Sequence, residues 1–175
     1  MRARSVLSLS SASSSLLLAL VAPARAAEAP PRNAIQADLG LAVVGLAYER
    51  VVHDRVAIQI EAQIFGIWWA DPKFTGAGGQ LRPTFFLTDD APRGVYVAPF
   101  VRVDRVTASA DGPKGSGVGW SLGAFVGYSF LFGEHVNLRV GAGAQYMSYS
   151  VDTHPVVVEW KKPYPALDLV VGYAF

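Results

Sequence analysis

Eight charged residues occupy the polar sides of segments in which polar and apolar residues alternate. Three are arginines and five are acids, so they can form ion pairs joined by charge-assisted hydrogen bonds. An unpaired charge shielded from water would be unfavourable, and we therefore expect a paired network wherever these side chains meet. The eight residues are Asp38, Glu49, Glu61, Arg82, Arg102, Asp104, Arg139 and Asp168.

Two roles are open for such a network. It could be a structural polar core that holds an interior closed, or it could line a gated polar passage or a ligand pocket. Glycines on the same side of two neighbouring segments leave room either for arginine side chains or for a small cavity. These glycines are Gly119, Gly123, Gly127, Gly141 and Gly143.

Catalytic residues are not evident. Of the three histidines, His53 and His135 lie in predicted turns, and His154 lies near Asp152 in a predicted loop without a serine partner on a strand. The chain has no cysteine, and no spacing of residues is typical of a metal site. We therefore predict no enzyme activity, no metal and no cofactor.

Charge and hydropathy narrow the class of protein. Residues 1–26 combine a basic start, a short apolar run and a small-residue cleavage site, which predicts a secretory signal peptide, followed by a tether over 27–32. Without residues 1–26, three of the 15 basic residues are lost and the 14 acidic residues are all kept, so nothing favours nucleic-acid binding. Mean hydropathy is +0.29, yet no run of 18 apolar residues exists to form a membrane-spanning helix.

Strands must therefore carry the polar network. In Trp120–Phe132 and Leu167–Phe175, large apolar residues alternate strictly with small or polar ones, which is typical of strands with one apolar face. Short turns at 53–55, 88–94 and 133–135 alternate with longer connections at 71–76, 106–117 and 150–163. Residues 33–52 contain either one bulged strand or two strands, and the even count that a barrel needs favours two. The sequence thus predicts an all-β domain over 33–175, an eight-stranded antiparallel up-and-down transmembrane β-barrel.

Aromatic residues on the apolar faces support a transmembrane barrel, because they gather at the two ends of the strands around an aliphatic middle. A soluble, lipocalin-like barrel with its apolar face inward is the alternative, but the other face is too small and glycine-rich to coat a water-exposed surface. The predicted outer belt is Trp68, Trp120 and Tyr146, and the inner belt is Tyr48, Phe85, Tyr128, Phe130, Phe132, Tyr173 and Phe175.

The predicted outer loops carry all four lysines of the chain. Cations beside an aromatic residue suit lipopolysaccharide phosphates or a surface partner, although ordinary hydrated loop charge is the simpler interpretation. Residues 156–160 could also extend the last hairpin and expose an edge for strand addition. The candidate contact residues are Lys73, Lys114, Trp160, Lys161 and Lys162.

The last strand resembles the C-terminal strand of bacterial outer-membrane barrels, since it alternates and ends on Phe175 with Tyr173 two residues earlier. Tyr48-Glu49-Arg50 and residues 92–100 extend the resemblance to the small barrels typified by the OmpA membrane domain, OmpX and OmpW. The resemblance implies an outer-membrane location, contact with lipid and lipopolysaccharide, a monomer, and a structural or envelope-integrity role with a polar-plugged lumen. A conduit or binder for a small apolar molecule and a surface adhesion protein are the alternatives. It also implies an assembly signal for the barrel-assembly machinery in Leu167, Leu169, Val171, Tyr173 and Phe175.

Overall fold

Eight antiparallel strands form a closed barrel in which each strand pairs with its neighbours along the chain and β8 pairs with β1. The computed structural model describes residues 31–67, 73–109, 114–152 and 157–175. The predicted fold class and strand number are confirmed. The strands are β1 (Asn33–Leu39), β2 (Val43–His53), β3 (Val56–Ile67), β4 (Lys73–Phe86), β5 (Gly94–Ser109), β6 (Lys114–Phe132), β7 (Val136–Asp152) and β8 (Val157–Ala174).

Several predictions concern residues outside the described ranges. The signal peptide over 1–26 and most of the tether are among them, as are Trp68 and His154. In the part of the chain that is described, no helix has the length and apolar character needed to cross a membrane.

Alternation of side chains decides which face of each strand turns inward. On β2, burial changes strictly from residue to residue: Ala47 is buried, whereas its neighbour Leu46 is 69% exposed. The same pattern on all strands leaves a broad apolar outer surface, because successive side chains of a strand point to opposite faces of the sheet. A surface of this extent is suited to lipid, not to water.

The three predicted short turns are confirmed, and residues 33–52 form two strands joined at 40–42. Two of the turns use a glycine with positive φ, Gly94 at 109° and Gly133 at 55°, a backbone conformation that glycine adopts without steric strain. All of these tight connections except the one at 40–42 lie at the end of the barrel that contains Phe175.

The three longer connections were predicted with wrong boundaries. Strands occupy much of 71–76, 106–117 and 150–163, and they remain paired as far as Ser109↔Lys114 and Asp152↔Val157. Glycine in these stretches suggested loops, but Gly117 lies against the neighbouring strand: a Cβ at this position would lie 2.0 Å from the backbone oxygen of Ser150. These residues therefore continue the barrel wall outward as paired strands and do not form loops.

Strand register is staggered around the barrel. Paired residues lead from Ala37 through Leu46 and onward strand by strand to Lys161 on β8, whereas the β8 residue that pairs with Ala37 is Val171. Such a stagger requires the strands to tilt against the barrel axis. Eight tilted strands enclose an interior that side chains can fill.

Candidate functional site

The barrel interior receives all eight charged residues singled out in the sequence. Each is at most 7% exposed, and Arg82, Asp104, Arg139 and Asp168 are fully buried. They reach the interior because each stands on the inward side of its strand, and every strand except β6 contributes at least one. The interior is therefore the candidate functional site, and its chemistry depends on how these charges are paired.

Arg82 is the centre of the largest charge cluster. Its Nη1 lies 2.6 Å from Asp168 Oδ1 and 3.5 Å from Asp38 Oδ2, so that β4 is joined to β8 and β1 across the lumen. Its Nε donates to Gln59 Oε1 at 2.7 Å. Asp168 also accepts a hydrogen bond from the hydroxyl of Tyr96. The guanidinium thus has acceptors on opposite walls and braces the barrel from within.

Arg139 forms a second cluster nearer to the short turns. Its Nη2 contacts Glu49 Oε1, an ion pair that joins β7 to β2. Asn137 donates to Ser129 Oγ at 2.9 Å and accepts from Gln36 Nε2 at 3.2 Å. Because both ions are buried and opposite in sign, this pair adds no net charge to the interior.

Arg102 departs from the expected pairing of arginines with acids. It donates to amide oxygens, to Gln145 Oε1 at 3.0 Å and to Gln80 Oε1 at 2.7 Å, and its Nε has no hydrogen-bond partner among the described residues. Gln80 in turn donates to Glu61 Oε2 at 3.0 Å, so the charge is relayed through an amide. Glutamines were missed in the sequence because only charged residues were considered on the inward positions.

Asp104 pairs with neutral donors instead of an arginine. Gln63 Nε2 and the hydroxyl of Tyr149 both donate to it at 2.8 Å. A carboxylate that accepts two hydrogen bonds has part of its lost hydration replaced. Because Tyr149 also belongs to an apolar cluster, its hydrogen bond to Asp104 connects the polar interior with apolar side chains nearer the outer end.

Aromatic rings fill the room that four of the five inward glycines leave, and Gly143 lies against the backbone of Ala124. The Tyr96 hydroxyl oxygen would lie 2.6 Å from a Cβ at either Gly127 or Gly141, and Phe100 Cζ would lie 2.7 Å from a Cβ at Gly123. Neither alternative from the sequence, arginine side chains or an open cavity, describes these positions. The sequence contained this information, since Tyr96 and Phe100 alternate in phase with Arg102 on β5 and must point inward with it.

The arginines lie over the faces of these rings. The guanidinium carbon is 5.6 Å from the ring centroid of Phe125 for Arg82 and 5.0 Å from that of Phe100 for Arg102. Phe100 and Phe125 are themselves stacked, with centroids 4.7 Å apart. Cation–π contact of this kind stabilises a desolvated cation. Charges and rings therefore form one packed layer.

An apolar cluster lies toward the outer end of the interior, above the charged layer. Phe65 and Tyr149 stack with centroids 4.8 Å apart, and Trp160 and Tyr164 of β8 pack against the cluster. We call this set the outer cluster; its buried members are Ala42, Val43, Phe65, Val106, Met147, Tyr149 and Val151.

Replacing Tyr96 by phenylalanine is expected to lower the free energy of unfolding by about 1.5–3 kcal/mol, because Asp168 loses a buried hydrogen bond to a charged acceptor. Denaturant unfolding of the protein in lipid vesicles would measure the loss. Tyr128→Phe is the matched control, since Tyr128 is on the outer surface. Equal effects of the two substitutions would contradict the role of the Tyr96 hydroxyl.

Two sets of predicted residues lie outside the interior, the candidate contact residues and the assembly signal. Trp160, Lys161 and Lys162 follow one another on β8, and Lys73 and Lys114 are the first residues of β4 and β6. Recognition of these residues by lipid or a partner stays a prediction. The assembly signal also stays a prediction. Its residues lie on β8 or, for Phe175, directly after it; the exposed members are Leu167, Val171, Tyr173 and Phe175, with Leu169 half-buried.

Neither described histidine lies in the interior. His53 is exposed at the end of β2, and His135 stacks on Tyr173 in a short turn, with ring centroids 5.3 Å apart. Over the described ranges, no three His, Cys, Asp or Glu side chains are grouped so that they could hold a metal ion. The described side chains of the interior pair and bury charge.

Aromatic residues border the apolar outer surface. Trp120 and Tyr146 pack together on β6 and β7 with centroids 6.0 Å apart. At the opposite end of β6, Phe130 contacts Tyr128 at 4.6 Å and Phe132 at 6.0 Å between centroids. Two aromatic belts flanking an aliphatic band match the two interfaces of a bilayer.

Two solved structures have a similar fold. The N-terminal β-barrel domain of Pseudomonas aeruginosa OprF superposes with a TM-score of 0.61 at 14% identity, covering 82% of this chain and 96% of that one. Neisserial surface protein A gives a TM-score of 0.58 at 14% identity, covering 82% and 95%. No protein-family model matches the chain, and no curated protein is significantly similar to it in sequence. The chain therefore has the fold of these eight-stranded β-barrels, and its apolar outer surface with two aromatic belts is suited to a lipid bilayer.

Proposed function

We propose that the protein is a non-catalytic outer-membrane barrel with a structural, envelope-integrity role and a lumen closed by its own side chains. The carrying observation is the cluster around Arg82, where one fully buried guanidinium binds groups on β3 and β8 and lies close to Asp38 on β1. A side chain held by groups on several strands favours a rigid, closed barrel over a lumen through which a solute passes. A solute would have to displace it, together with the rings stacked below.

Closure of the lumen can be tested by electrical recording. Purified full-length protein in planar bilayers is expected to give no steady conductance, with a large-pore porin in the same lipid as the positive control. Sustained channels from the wild-type protein would contradict a closed lumen and would favour the alternative of a conduit. Vesicles loaded with a small apolar dye would test that alternative directly, since a conduit would accelerate release of the dye.

The envelope role requires an experiment in cells. Loss of the protein is expected to increase entry of large antibiotics and release of periplasmic contents, and the wild-type chain should reverse both. A normal barrier in cells that lack the protein would contradict the proposed role, even if the lumen proved closed.

A surface-contact role is a second candidate. It is favoured by the outward extension of the hairpins, in which β7 and β8 stay paired to Asp152↔Val157, well past the Trp120–Tyr146 contact. Shortening this hairpin by residues 150–159 should abolish binding to a surface partner and leave the barrel folded. If the shortened protein still restored the envelope barrier, the two roles would be separable.

A further inference from the structure

The charges of the closed interior do not balance. Its described side chains include three arginines and five acids, so that full ionisation would leave two negative charges in excess. Ion pairs with Arg82 and Arg139 account for three of the acids. The two remaining acids, Glu61 and Asp104, have no cation within ion-pair distance among the described residues. A charge that is buried without a partner is costly, so at least one of these acids needs another form of compensation.

Glu61 and Asp104 differ in how their oxygens are hydrogen-bonded. Asp104 accepts one hydrogen bond on each oxygen, from Gln63 on Oδ1 and from Tyr149 on Oδ2. Glu61 accepts two amide hydrogen bonds on Oε2, at 3.0 and 3.3 Å, whereas its buried Oε1 has no partner within the described ranges. Protonation would turn this oxygen into a donor. The hydrogen bonding therefore favours Glu61 as the acid that carries a proton.

An acceptor for this proton lies beside Glu61 Oε1. The oxygen covers the inward face of Gly45, where it occupies the space that a Cβ would need. Gly45 is paired with Asp38 on β1, so the two carboxyl groups lie within hydrogen-bonding reach of each other. Asp38 Oδ2 is 3.5 Å from Arg82 Nη1, which favours its ionised form. Two carboxyl groups at one site share a proton, since like charges this close disfavour double ionisation.

The other charged groups around Glu61 also favour a proton. Asp38 on β1, Arg82 on β4 and Arg102 on β5 face it from three strands. Neither guanidinium forms an ion pair with Glu61, because Arg82 binds other acids and Arg102 binds two glutamine oxygens. Two arginines at this distance would repel a metal cation, whereas a proton neutralises the carboxylate and leaves no separate ion. A proton is therefore the compensation that fits this site.

A cavity the size of one water molecule lies beside Asp38, next to residues 40–43. Its volume is about 10 Å³, and Asp38, Arg102 and Gln145 contribute the polar part of its lining. Arg102 Nε is a buried donor that has no partner among the described residues. A cavity of this volume can hold one water molecule when several polar groups can bind it. Water could therefore reach the Asp38 carboxylate here and bind the arginine at the same time.

We propose that the interior binds one proton, held by Glu61 and donated to Asp38, and one water molecule in the cavity beside Asp38 through which the proton exchanges. The hydroxyl at Glu61 Oε1 donates to the Asp38 carboxylate in a charge-assisted hydrogen bond. One of the two excess charges is thereby removed, and Asp104 keeps its two hydrogen bonds and stays ionised. The site rests on the closed lumen of the proposed function, which bilayer recording tests separately, and it does not depend on the envelope role.

Infrared spectroscopy can detect the proposed group, because a protonated carboxyl group has a carbonyl band of its own above the amide bands. Near neutral pH, solvated carboxyl groups are ionised, so a remaining band reports a buried acid. The purified protein in an ester-free detergent is expected to show one such band. Glu61→Gln should abolish it. The glutamine amide can donate to Asp38 in place of the hydroxyl, so this variant should keep its heat-dependent gel shift.

Two other buried acids supply matched controls. Asp104→Asn and Glu49→Gln each remove a carboxylate that is satisfied in its ionised form, by two hydrogen bonds or by Arg139. Both variants should retain the band, and the gel shift shows whether each is folded. Loss of the band from either folded control would assign the proton to that acid and contradict its assignment to Glu61.

Deuterium exchange tests the water molecule. Transfer into D₂O should lower the frequency of the band as deuterium replaces the proton. Ala166→Val adds volume to the lining of the cavity and should slow this shift several-fold, and Ala42→Val is a second variant of the same kind. Ala124→Val, on the exposed face of β6, should leave the rate of exchange unchanged.

Three results would overturn the proposal. Absence of the band from the wild-type protein would show that both carboxyl groups are ionised. Persistence of the band in Glu61→Gln would show that another acid holds the proton. Equal rates of exchange in Ala166→Val, Ala42→Val and Ala124→Val would show that the proton does not exchange through the cavity.

Discussion

Replacing Arg82 by alanine is expected to lower the free energy of unfolding by about 3–5 kcal/mol. The substitution leaves Asp168 and Asp38 in the interior without their cation, and it removes the donor to Gln59. Breaking one side of a buried ion pair costs more than removing both charges, because the remaining charge has lost its hydration and its partner together. Urea unfolding in lipid vesicles, followed by tryptophan fluorescence, would measure the loss.

Two controls distinguish this effect from a general loss of an arginine. Arg105→Ala removes a cation of the same type from the exposed side of β5 and should change stability by less than about 0.5 kcal/mol. Combining Arg82→Met with Asp168→Asn should cost less than Arg82→Ala alone, since no unpaired carboxylate is then left on β8. If Arg82→Ala were as mild as Arg105→Ala, the central cluster could not be what braces the barrel.

Replacing Val126 by arginine should cost about 2–4 kcal/mol, the second large effect that we expect. Val126 is 57% exposed on the outer face of β6, between the outer belt residue Trp120 and the inner belt residue Phe132. In water such a surface substitution would be nearly neutral, so the penalty arises from hydrocarbon around the barrel. Reversible unfolding from vesicles gives the free energy directly.

Val118 supplies the matched control on the same strand. It is 68% exposed and lies on the outward side of Trp120, where the barrel leaves the lipid. Val118→Arg should therefore cost only about 0–1 kcal/mol. Equal penalties at 118 and 126 would contradict the membrane position of the barrel, and a negligible penalty at both would indicate a soluble protein.

The positions of the strands, and the face on which each side chain lies, were predictable because polar and apolar residues alternate with a period of two. Each residue of β6 between Trp120 and Phe132 is assigned to a face by its neighbours alone, so the inward position of Ser121 and the outward position of Leu122 follow without knowledge of the rest of the chain. The same rule on other strands led to the eight charged residues of the interior.

Strand ends were not predictable in the same way. Gly117 was predicted to lie in a loop, whereas in the barrel it makes room for the backbone of the adjacent strand at Ser150. A glycine that permits close approach and a glycine that permits a turn have the same sequence signal. Which one applies depends on residues about 30 positions away on β7, and this information is absent from a local pattern.

Partners within the interior also depend on distant strands. Opposite charge suggested that Arg102 would meet an acid, yet the staggered register brings Gln80 and Gln145 within hydrogen-bond distance. Arg82 and Asp168 are 86 positions apart in the chain and lie on strands that are not neighbours in the sheet. Composition could indicate that charges balance, but only the closed barrel determines which of them touch.

The short contact between β1 and β8 has a mechanical consequence. Paired residues run only from Ala34↔Ala174 to Asp38↔Val170 along this seam, whereas β5 and β6 are paired from Gly94↔Ser129 to Ser109↔Lys114. Under force or heat, the barrel would therefore open first between β1 and β8. During biogenesis, its closure would be completed at the same contact.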